Sequence, residues 1–291
     1  MIDKLNWSEA IFFFDVDDTL IDTTSNSIIA SEGITNVLKQ EYGEKKSILI
    51  KDRFNQLFQT LMQEHMATGK NNMKQYDLII QRINKLQEPV VKKFGAIKKW
   101  SREVILKIAA ENCDISLKPE LIYSAIDAYW NSISEKSVPM EGVLNLFQEI
   151  KIHNRPVYLI TSSDARLQLN NQGLFEYDPK HSEKFKKKRM ETLKVKGLFF
   201  NKVSIGDPED KPHLDFFKKG IEIAEIDLGY KINTKNIIMF GDSYSGDLQT
   251  PREKLGFGLV VLFKKGQEQS IEESQRYIST GNVSSVKEYL I

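Results

Sequence analysis

Two aspartates separated by one residue follow the first apolar run of the sequence. Asp15 and Asp17 come directly after Ile11–Phe14, whose aromatic and β-branched residues are typical of a buried strand. At the edge where parallel strands end, two carboxylates this close repel each other unless a cation or a proton lies between them. The pair therefore indicates a hard, oxygen-preferring ion such as Mg²⁺. The alternative is an ordinary strand-to-helix turn in which Asp18 or Thr19 caps the helix.

A second strand-like run, 237–240, also ends in an acidic segment. Gly241 and Asp242 follow it directly, and Asp247 comes shortly afterwards. If this strand neighbours the first, Asp242 faces Asp15 across the sheet edge. The two segments together then predict an acidic cation site.

A third run, 157–160, ends in hydroxyl residues. Thr161 and Ser162 bring hydroxyl and amide groups that suit phosphate oxygens. Lys211 would add the positive charge that a phosphate needs. Among the lysines of this region Lys211 is favoured, because Pro212 and an apolar-periodic helix follow it.

The elements that must position these residues are short buried strands with helices between them. Strands that alternate with helical patterns predict an α/β fold, with a parallel sheet covered on both faces. The predicted strands are 11–14, 157–160, 237–240 and 259–263.

Residues 22–138 have a different pattern, without a convincing buried strand. Long amphipathic stretches there predict an all-helical domain, and Phe54, Leu57, Phe58, Leu61 and Met62 illustrate the helical spacing. Pro139 and Gly142 mark the return to the α/β core. We therefore predict a core made of 1–21 and 139–291, with a helical domain at 22–138 inserted into it.

Composition excludes several classes of protein. The 291 residues carry 41 basic and 40 acidic side chains, so the net charge of +1 gives no general attraction to nucleic acid or to an anionic membrane. A single cysteine excludes a disulfide framework and a cysteine-rich metal site. The apolar runs are shorter than a membrane span needs, and the first residues do not resemble a signal peptide. We expect a cytoplasmic protein.

A basic segment at 184–196 interrupts the otherwise mixed charge pattern. The usual interpretation of such a run is a solvated helix face or a loop. The alternative is a docking patch for an anionic partner. The basic residues are Lys184, Lys186, Lys187, Lys188, Arg189, Lys194 and Lys196.

Taken in order, these segments resemble the four signature motifs of the haloacid dehalogenase (HAD) superfamily. The first motif is similar to residues 15–20, the second to Thr161 after its strand, the third to Lys211-Pro212, and the fourth to residues 241–247. The resemblance implies a Rossmann-like parallel-sheet core. It also implies a cap domain after the first motif, where the all-helical insertion lies.

The resemblance further implies a mechanism. Asp15 would attack phosphorus as the nucleophile, and Asp17 would act as general acid and then as general base. Mg²⁺ would be held by Asp15, by Asp242 and by the backbone carbonyl of Asp17. Thr161, Ser162 and Lys211 would hold the phosphoryl oxygens. Asp247 would orient Lys211 or the metal shell. Ser243 and Tyr244 would contact substrate or fill the loop.

The resemblance extends to dehalogenases, phosphonate-cleaving members and cation-pumping ATPases, but these proteins lack an acid at the position of Asp17. The acid at Asp17 therefore argues against those three activities. The expected function is hydrolysis of a small phosphorylated metabolite, such as a nucleotide or a sugar phosphate. A large cap favours a small substrate that must be enclosed from water. Two alternatives remain: a phosphomutase or phosphotransferase of the same superfamily, and a non-catalytic binding protein that uses segment 184–196.

Overall fold

The computed structural model describes residues 4–66, 73–95 and 101–291. The chain divides into two compact units. The core unit consists of Met1–Thr24, Ser137–Ser163 and Met190–Ile291, and the helical unit consists of Ser25–Lys136 and Asp164–Arg189. Within the described residues, no helix has both the length and the apolar character needed to cross a bilayer.

The strands are short and mostly buried. In chain order they are β1 (Ile11–Phe14), β2 (Val157–Ser162), β3 (Gln168–Leu169), β4 (Phe175–Glu176), β5 (Lys202–Gly206), β6 (Ile237–Gly241), β7 (Leu259–Phe263), β8 (Ile271–Ser274) and β9 (Tyr277–Thr280).

The α-helices vary from a single turn to many turns. They are α1 (Ser27–Ala30), α2 (Glu32–Met66), α3 (Met73–Leu86), α4 (Glu88–Phe94), α5 (Arg102–Glu111), α6 (Pro119–Lys136), α7 (Val143–Ile152), α8 (Pro179–Glu191), α9 (Leu214–Leu228) and α10 (Gln249–Glu253). Non-helical backbone at Gly43, with φ 75°, divides α2 into two helical stretches.

The core unit is built on one sheet with the order β5-β2-β1-β6-β7-β9-β8. Its strands pair in parallel, except that β8 is antiparallel to β9. β1 lies between β2 and β6, with Phe14 opposite both Leu159 and Phe240. The predicted α/β fold with a parallel sheet is therefore confirmed, and the carboxyl ends of these three strands meet at one edge.

Alternate residues of β1 enter two apolar layers on opposite faces of the sheet. Phe12 and Phe14 pack with the α7 residues Val143 and Phe147 on one face. Ile11 and Phe13 pack with Phe216 and Phe217 of α9 on the other. All four residues of β1 are buried because helices cover both faces, which explains its uninterrupted apolar sequence.

The segment 164–189 was assigned to the core from sequence, but it packs with the helical unit. Leu167, Phe175 and Tyr177 are buried in the same apolar cluster as residues of α2, α5 and α6. The ring of Tyr177 also makes an edge contact with that of Phe94, 5.6 Å between centroids. Burial of these side chains holds the segment to the helices, so the predicted boundary of the inserted domain needs this correction.

The basic run is also different from a continuous exposed patch. Within α8, Lys186 and Arg189 are buried and bind the buried carboxylate of Asp164, at 3.2 Å for Lys186 and 2.9 Å for the closer Arg189 nitrogen. Lys187 is exposed and pairs with Glu183 at 2.6 Å. Lys186 and Arg189 are therefore enclosed in ion pairs rather than exposed. The docking patch for an anionic partner stays a prediction.

A second buried ion pair lies in the same unit. The Arg166 guanidinium donates to Glu103 at 2.5 Å and to Asp127 at 2.6 Å. Burial opposes the charge on Arg166, but the two carboxylates outweigh it and raise the pKa of the guanidinium. We call these contacts, together with those of Asp164, the helical-unit ion network.

Candidate active site

The carboxylate of Asp15 lies where β1 leaves the sheet. Asp15 is 4% exposed. Its backbone N–H donates to the Phe240 carbonyl of β6 at 2.9 Å, which continues the hydrogen bonding between β1 and β6. The Thr19 hydroxyl donates to Asp15 at 3.2 Å. The sequence predicts Thr19 as a possible helix cap, but in the structure its hydroxyl binds the Asp15 carboxylate.

Lys211 joins Asp15 to the fourth-motif segment. Its ammonium group donates to Asp15 at 2.5 Å and to Asp247 at 2.6 Å. Burial alone would lower the pKa of Lys211, but the two carboxylates outweigh it and raise the pKa above its ordinary value. Lys211 is therefore a fixed positive charge between two acids.

The loop that carries Lys211 is held by Asp210. The Asp210 carboxylate accepts the Lys211 backbone N–H at 2.8 Å and the Ser162 hydroxyl at 3.0 Å. A Cβ on Gly206 would lie 2.0 Å from the same carboxylate, so only glycine permits this approach. Asp210 gave no signal in the sequence, and Ser162, predicted to bind phosphate, supports the lysine loop in this structure.

Three carboxylates gather at the sheet edge. Among the described residues, Asp15, Asp242 and Asp247 each offer an oxygen, and these oxygens lie within 4.8 Å of one another. Burial, then repulsion from Asp247 and Asp17, raises the pKa of Asp15 to about 7, against the opposing charge of Lys211. Desolvation, then repulsion from Asp15 and Asp247, raises the pKa of Asp242 to about 8. Asp242 itself is exposed to solvent.

This cluster suits a hard divalent cation. Carboxylate oxygens are the ligands that Mg²⁺ prefers. Three carboxylates lie together with the Lys211 ammonium group, so negative charge exceeds positive charge in this cluster. A bound cation would supply the missing positive charge. The donor set therefore fits a hard divalent cation such as Mg²⁺, which the carboxylates of Asp15, Asp242 and Asp247 could hold.

The fourth-motif segment reaches the cluster through a tight turn. A Cβ on Gly241 would lie 2.3 Å from the Asp247 side chain, so glycine lets Asp247 fold back against the strand end. The Ser243 N–H donates to Asp247 at 3.0 Å, and the Ser243 hydroxyl accepts the Gly246 N–H at 3.1 Å. Residues Tyr244–Leu248 form a π-helical turn, a feature found often at functional sites. Ser243 thus has a structural role in shaping the acidic loop.

Asp17 and Asp18 lie in the turn after β1. The Thr23 hydroxyl donates to Asp17 at 2.7 Å. Asp18 adopts left-handed backbone, with φ 60°, which glycine and aspartate tolerate better than most residues. Its carboxylate accepts the N–H groups of Thr23 and Thr24, and the Thr24 hydroxyl. Asp18 therefore closes the turn that presents Asp17.

Thr161 is the next-to-last residue of β2, at the carboxyl end of that strand. It is buried, and it pairs with Ile205 of β5 in the parallel ladder. Its hydroxyl lies 3.4 Å from the Ser162 carbonyl, a long contact for a hydroxyl donor. A contact of this length leaves only a weak hydrogen bond at the Thr161 hydroxyl.

Comparison with known proteins places the chain in a family. Residues 10–253 match the model of haloacid dehalogenase-like hydrolases. No curated protein matches the sequence.

Solved structures share the fold over nearly the whole chain. YfnB from Bacillus subtilis, assigned as a HAD-hydrolase and bound to magnesium, is 12% identical with TM-score 0.54, over 96% of this chain and 97% of that one. A haloacid dehalogenase-like hydrolase from Xanthomonas campestris is 13% identical with TM-score 0.52, over 98% and 96%. A Thermotoga maritima protein assigned as a β-phosphoglucomutase is 15% identical with TM-score 0.52, over 96% and 97%.

Proposed function

The chain belongs to the haloacid dehalogenase-like hydrolase family, and from its acidic site we propose that it is a Mg²⁺-dependent phosphomonoester hydrolase. The observation that carries this proposal is the buried Asp15 carboxylate, held by Lys211 and surrounded by Asp242 and Asp247. A nucleophile beside a fixed positive charge and a cation site suits attack on an anionic phosphate.

The reaction begins with Asp15. Its carboxylate oxygen forms a bond to phosphorus while the ester P–O bond breaks, which leaves an aspartyl phosphate and an alkoxide. Asp17 gives its proton to the alkoxide, so the leaving group departs as a neutral alcohol. The contact with the Thr23 hydroxyl fixes the Asp17 carboxyl for this transfer.

Water completes the cycle. Asp17, now a carboxylate, takes a proton from a water molecule as the water oxygen bonds to phosphorus. The bond from phosphorus to Asp15 breaks, phosphate leaves, and both aspartates return to their starting states. One group thus acts as acid in the first step and as base in the second.

The remaining residues stabilise charge on the transferred group. Lys211 offers its ammonium group to a phosphoryl oxygen, and Thr161 offers its hydroxyl. Mg²⁺, when bound by Asp15, Asp242 and the Asp17 carbonyl, offsets the repulsion between the carboxylate and the phosphate. Asp247 keeps Lys211 in place through its 2.6 Å contact.

We propose a small phosphorylated metabolite, such as a nucleotide or a sugar phosphate, as the substrate. A helical unit of this size suits enclosure of a small molecule better than access to a protein chain. Transfer of the phosphoryl group to an alcohol instead of water would make the protein a phosphotransferase that uses the same residues.

The test is phosphate release from a panel of small phosphomonoesters, with Mg²⁺ or with a chelator. Asp15→Asn should reduce turnover by at least about 10⁴-fold, because the amide cannot form the intermediate. Asp215→Asn is the matched control, since Asp215 is an aspartate whose side chain is 86% exposed. It should leave turnover unchanged.

Two outcomes would contradict hydrolysis. Folded, Mg²⁺-loaded protein that releases phosphate from no ester would overturn it, and so would full activity of Asp15→Asn. Phosphoryl transfer to an added alcohol without phosphate release would replace hydrolysis with phosphotransfer.

A further inference from the structure

We infer that Tyr244, Arg252, Ser274 and Tyr277 form a brace that positions the acidic loop 242–248 for Mg²⁺. The inference rests on the proposed function, because it concerns the cation site of that reaction. For Tyr244, whose predicted alternatives are substrate contact and loop filling, the contacts with α10 and with Tyr277 favour a role within the loop. All four are positioning residues that act through the loop carrying Asp242 and Asp247.

The first half of the brace lies on the loop itself. Tyr244 begins the π-helical turn, and its hydroxyl donates to Glu253 at 3.0 Å while it accepts a hydrogen bond from Arg252 at 2.9 Å. Both partners belong to α10, which follows the turn directly. These two hydrogen bonds therefore hold the loop to α10, the helix that follows it.

The second half ties the loop to the hairpin of β8 and β9. The other terminal nitrogen of Arg252 donates to the Ser274 hydroxyl at 2.6 Å, and its guanidinium lies 5.4 Å from the centre of the Tyr277 ring. The Tyr244 ring packs against the same ring at 4.8 Å. The guanidinium of Arg252 therefore contacts Tyr244 of the loop, Ser274 of β8 and Tyr277 of β9. A planar group with several N–H donors is suited to making such contacts together.

The hairpin of β8 and β9 lies outside the part of the chain that the family model matches. The family model ends at residue 253, before β8 and β9 begin. Ser274 and Tyr277 thus reach back from outside the matched region to the fourth motif. Their contacts cannot be explained by the motif alone.

The need for a brace follows from the charge of the loop. Asp242 and Asp247 both lie within the cluster of carboxylates, which repel one another before a cation binds. Repulsion favours movement of the loop away from Asp15. A loop held in place beforehand binds the cation more tightly, because less order must be imposed at binding.

The experiment compares Arg252→Ala with Lys264→Ala. Lys264 pairs with Glu273 of the same hairpin at 3.0 Å, so its removal weakens the hairpin without touching the brace. The first readout is Mg²⁺ affinity measured by calorimetry. The second is hydrogen exchange of the amides of residues 242–248 in metal-free protein.

We expect Arg252→Ala to weaken Mg²⁺ binding by roughly 10-fold, as for other supports of metal ligands, and to speed exchange in the loop. Lys264→Ala should change neither. Arg252→Lys should recover only part of the affinity, since an ammonium group cannot make both contacts. If Arg252→Ala does not fold, Tyr244→Phe, which loses only the hydroxyl, should weaken binding about 3-fold by the same reasoning.

Wild-type Mg²⁺ affinity and wild-type loop exchange in folded Arg252→Ala would overturn the brace. Equal effects of Lys264→Ala would also overturn it, since they would show general weakening of the hairpin. Neither readout needs turnover. A failure of the brace is therefore distinguishable from a failure of the proposed hydrolysis, which only phosphate release decides.

Discussion

The candidate active site and the helical-unit ion network both enclose charged side chains, but they balance charge differently. At the sheet edge one lysine, Lys211, faces the carboxylates of Asp15 and Asp247, with Asp242 beside them. In the helical unit the cations Arg166, Lys186 and Arg189 face Glu103, Asp127 and Asp164.

This difference in charge balance indicates a cation-binding role for the sheet edge and a structural role for the helical-unit ion network. Matched charges satisfy each other, and the network holds segment 164–189 to the helices around it. At the sheet edge the carboxylates outnumber Lys211; burial first, and then repulsion between the carboxylates, raises the pKa of Asp15 and of Asp242. A cation or protons would satisfy this surplus of negative charge. We therefore expect substitutions in the two regions to change stability in opposite directions.

The largest expected effect on stability is in the helical unit. Glu103→Gln removes the charge that faces Arg166 at 2.5 Å and should lower the free energy of unfolding by about 3 kcal/mol, because the buried cation loses its buried carboxylate partner and keeps only Asp127, which is 45% exposed. Glu41→Gln, which breaks the exposed pair with Lys118, should cost less than about 0.5 kcal/mol. Urea denaturation of both variants measures the difference. Equal losses would mean that the network does not stabilise the unit.

The next largest effect is the stabilisation by Mg²⁺ and its pH dependence. Folded, metal-free protein retains protons on Asp15 and Asp242 to about pH 7 and 8, whereas the unfolded chain releases them near 3.8. The folded state binds more protons in this window, so stability should fall as the pH rises from about 4 to 8. Mg²⁺ at 100 times its dissociation constant should restore about 2.7 kcal/mol.

Because Mg²⁺ replaces those protons, it should stabilise the protein more at pH 8 than at pH 6. Thermal unfolding with Mg²⁺ or chelator at both pH values provides the measurement. A Mg²⁺ effect that is the same at both values, or larger at pH 6, would show that the carboxylates are not protonated as described.

The smallest expected effect is a gain in the stability of the metal-free protein. Asp242→Asn removes one repelling charge and should raise the stability of metal-free protein at pH 8 by at most about 1 kcal/mol, since Asp242 is exposed and screened. It should also reduce the stabilisation by Mg²⁺. Asp215→Asn, an exposed control, should do neither. Loss of stability in metal-free Asp242→Asn would contradict the surplus of negative charge.

The sequence predicts the central strands well because burial on both faces leaves uninterrupted apolar runs. β1, β2, β6 and β7 are of this kind. β8 is exposed at every residue and β5 begins with an exposed lysine, so neither has the apolar signal that the prediction needs. Elements at the edge of the sheet were therefore missed.

Side-chain partners far apart in sequence account for the other differences. Lys186 and Arg189 look like part of an exposed basic run until Asp164 is placed beside them. Asp15, Thr161 and Asp242 are predicted as site residues because they follow buried strands, whereas Lys211 is predicted from Pro212 and the apolar-periodic helix after it. Thr19 and Asp210 act through hydrogen bonds within loops, which leave no periodic pattern in the sequence.

The central position of β1 also bears on how the chain is made. Its partner β2 follows about 145 residues later, and β6 later still. At roughly 5–20 residues per second a ribosome needs about 7–30 s to cover the interval to β2. Throughout that time the strand that carries Asp15 has no neighbouring strand to pair with, so its apolar side chains remain unburied by the sheet until β2 is made.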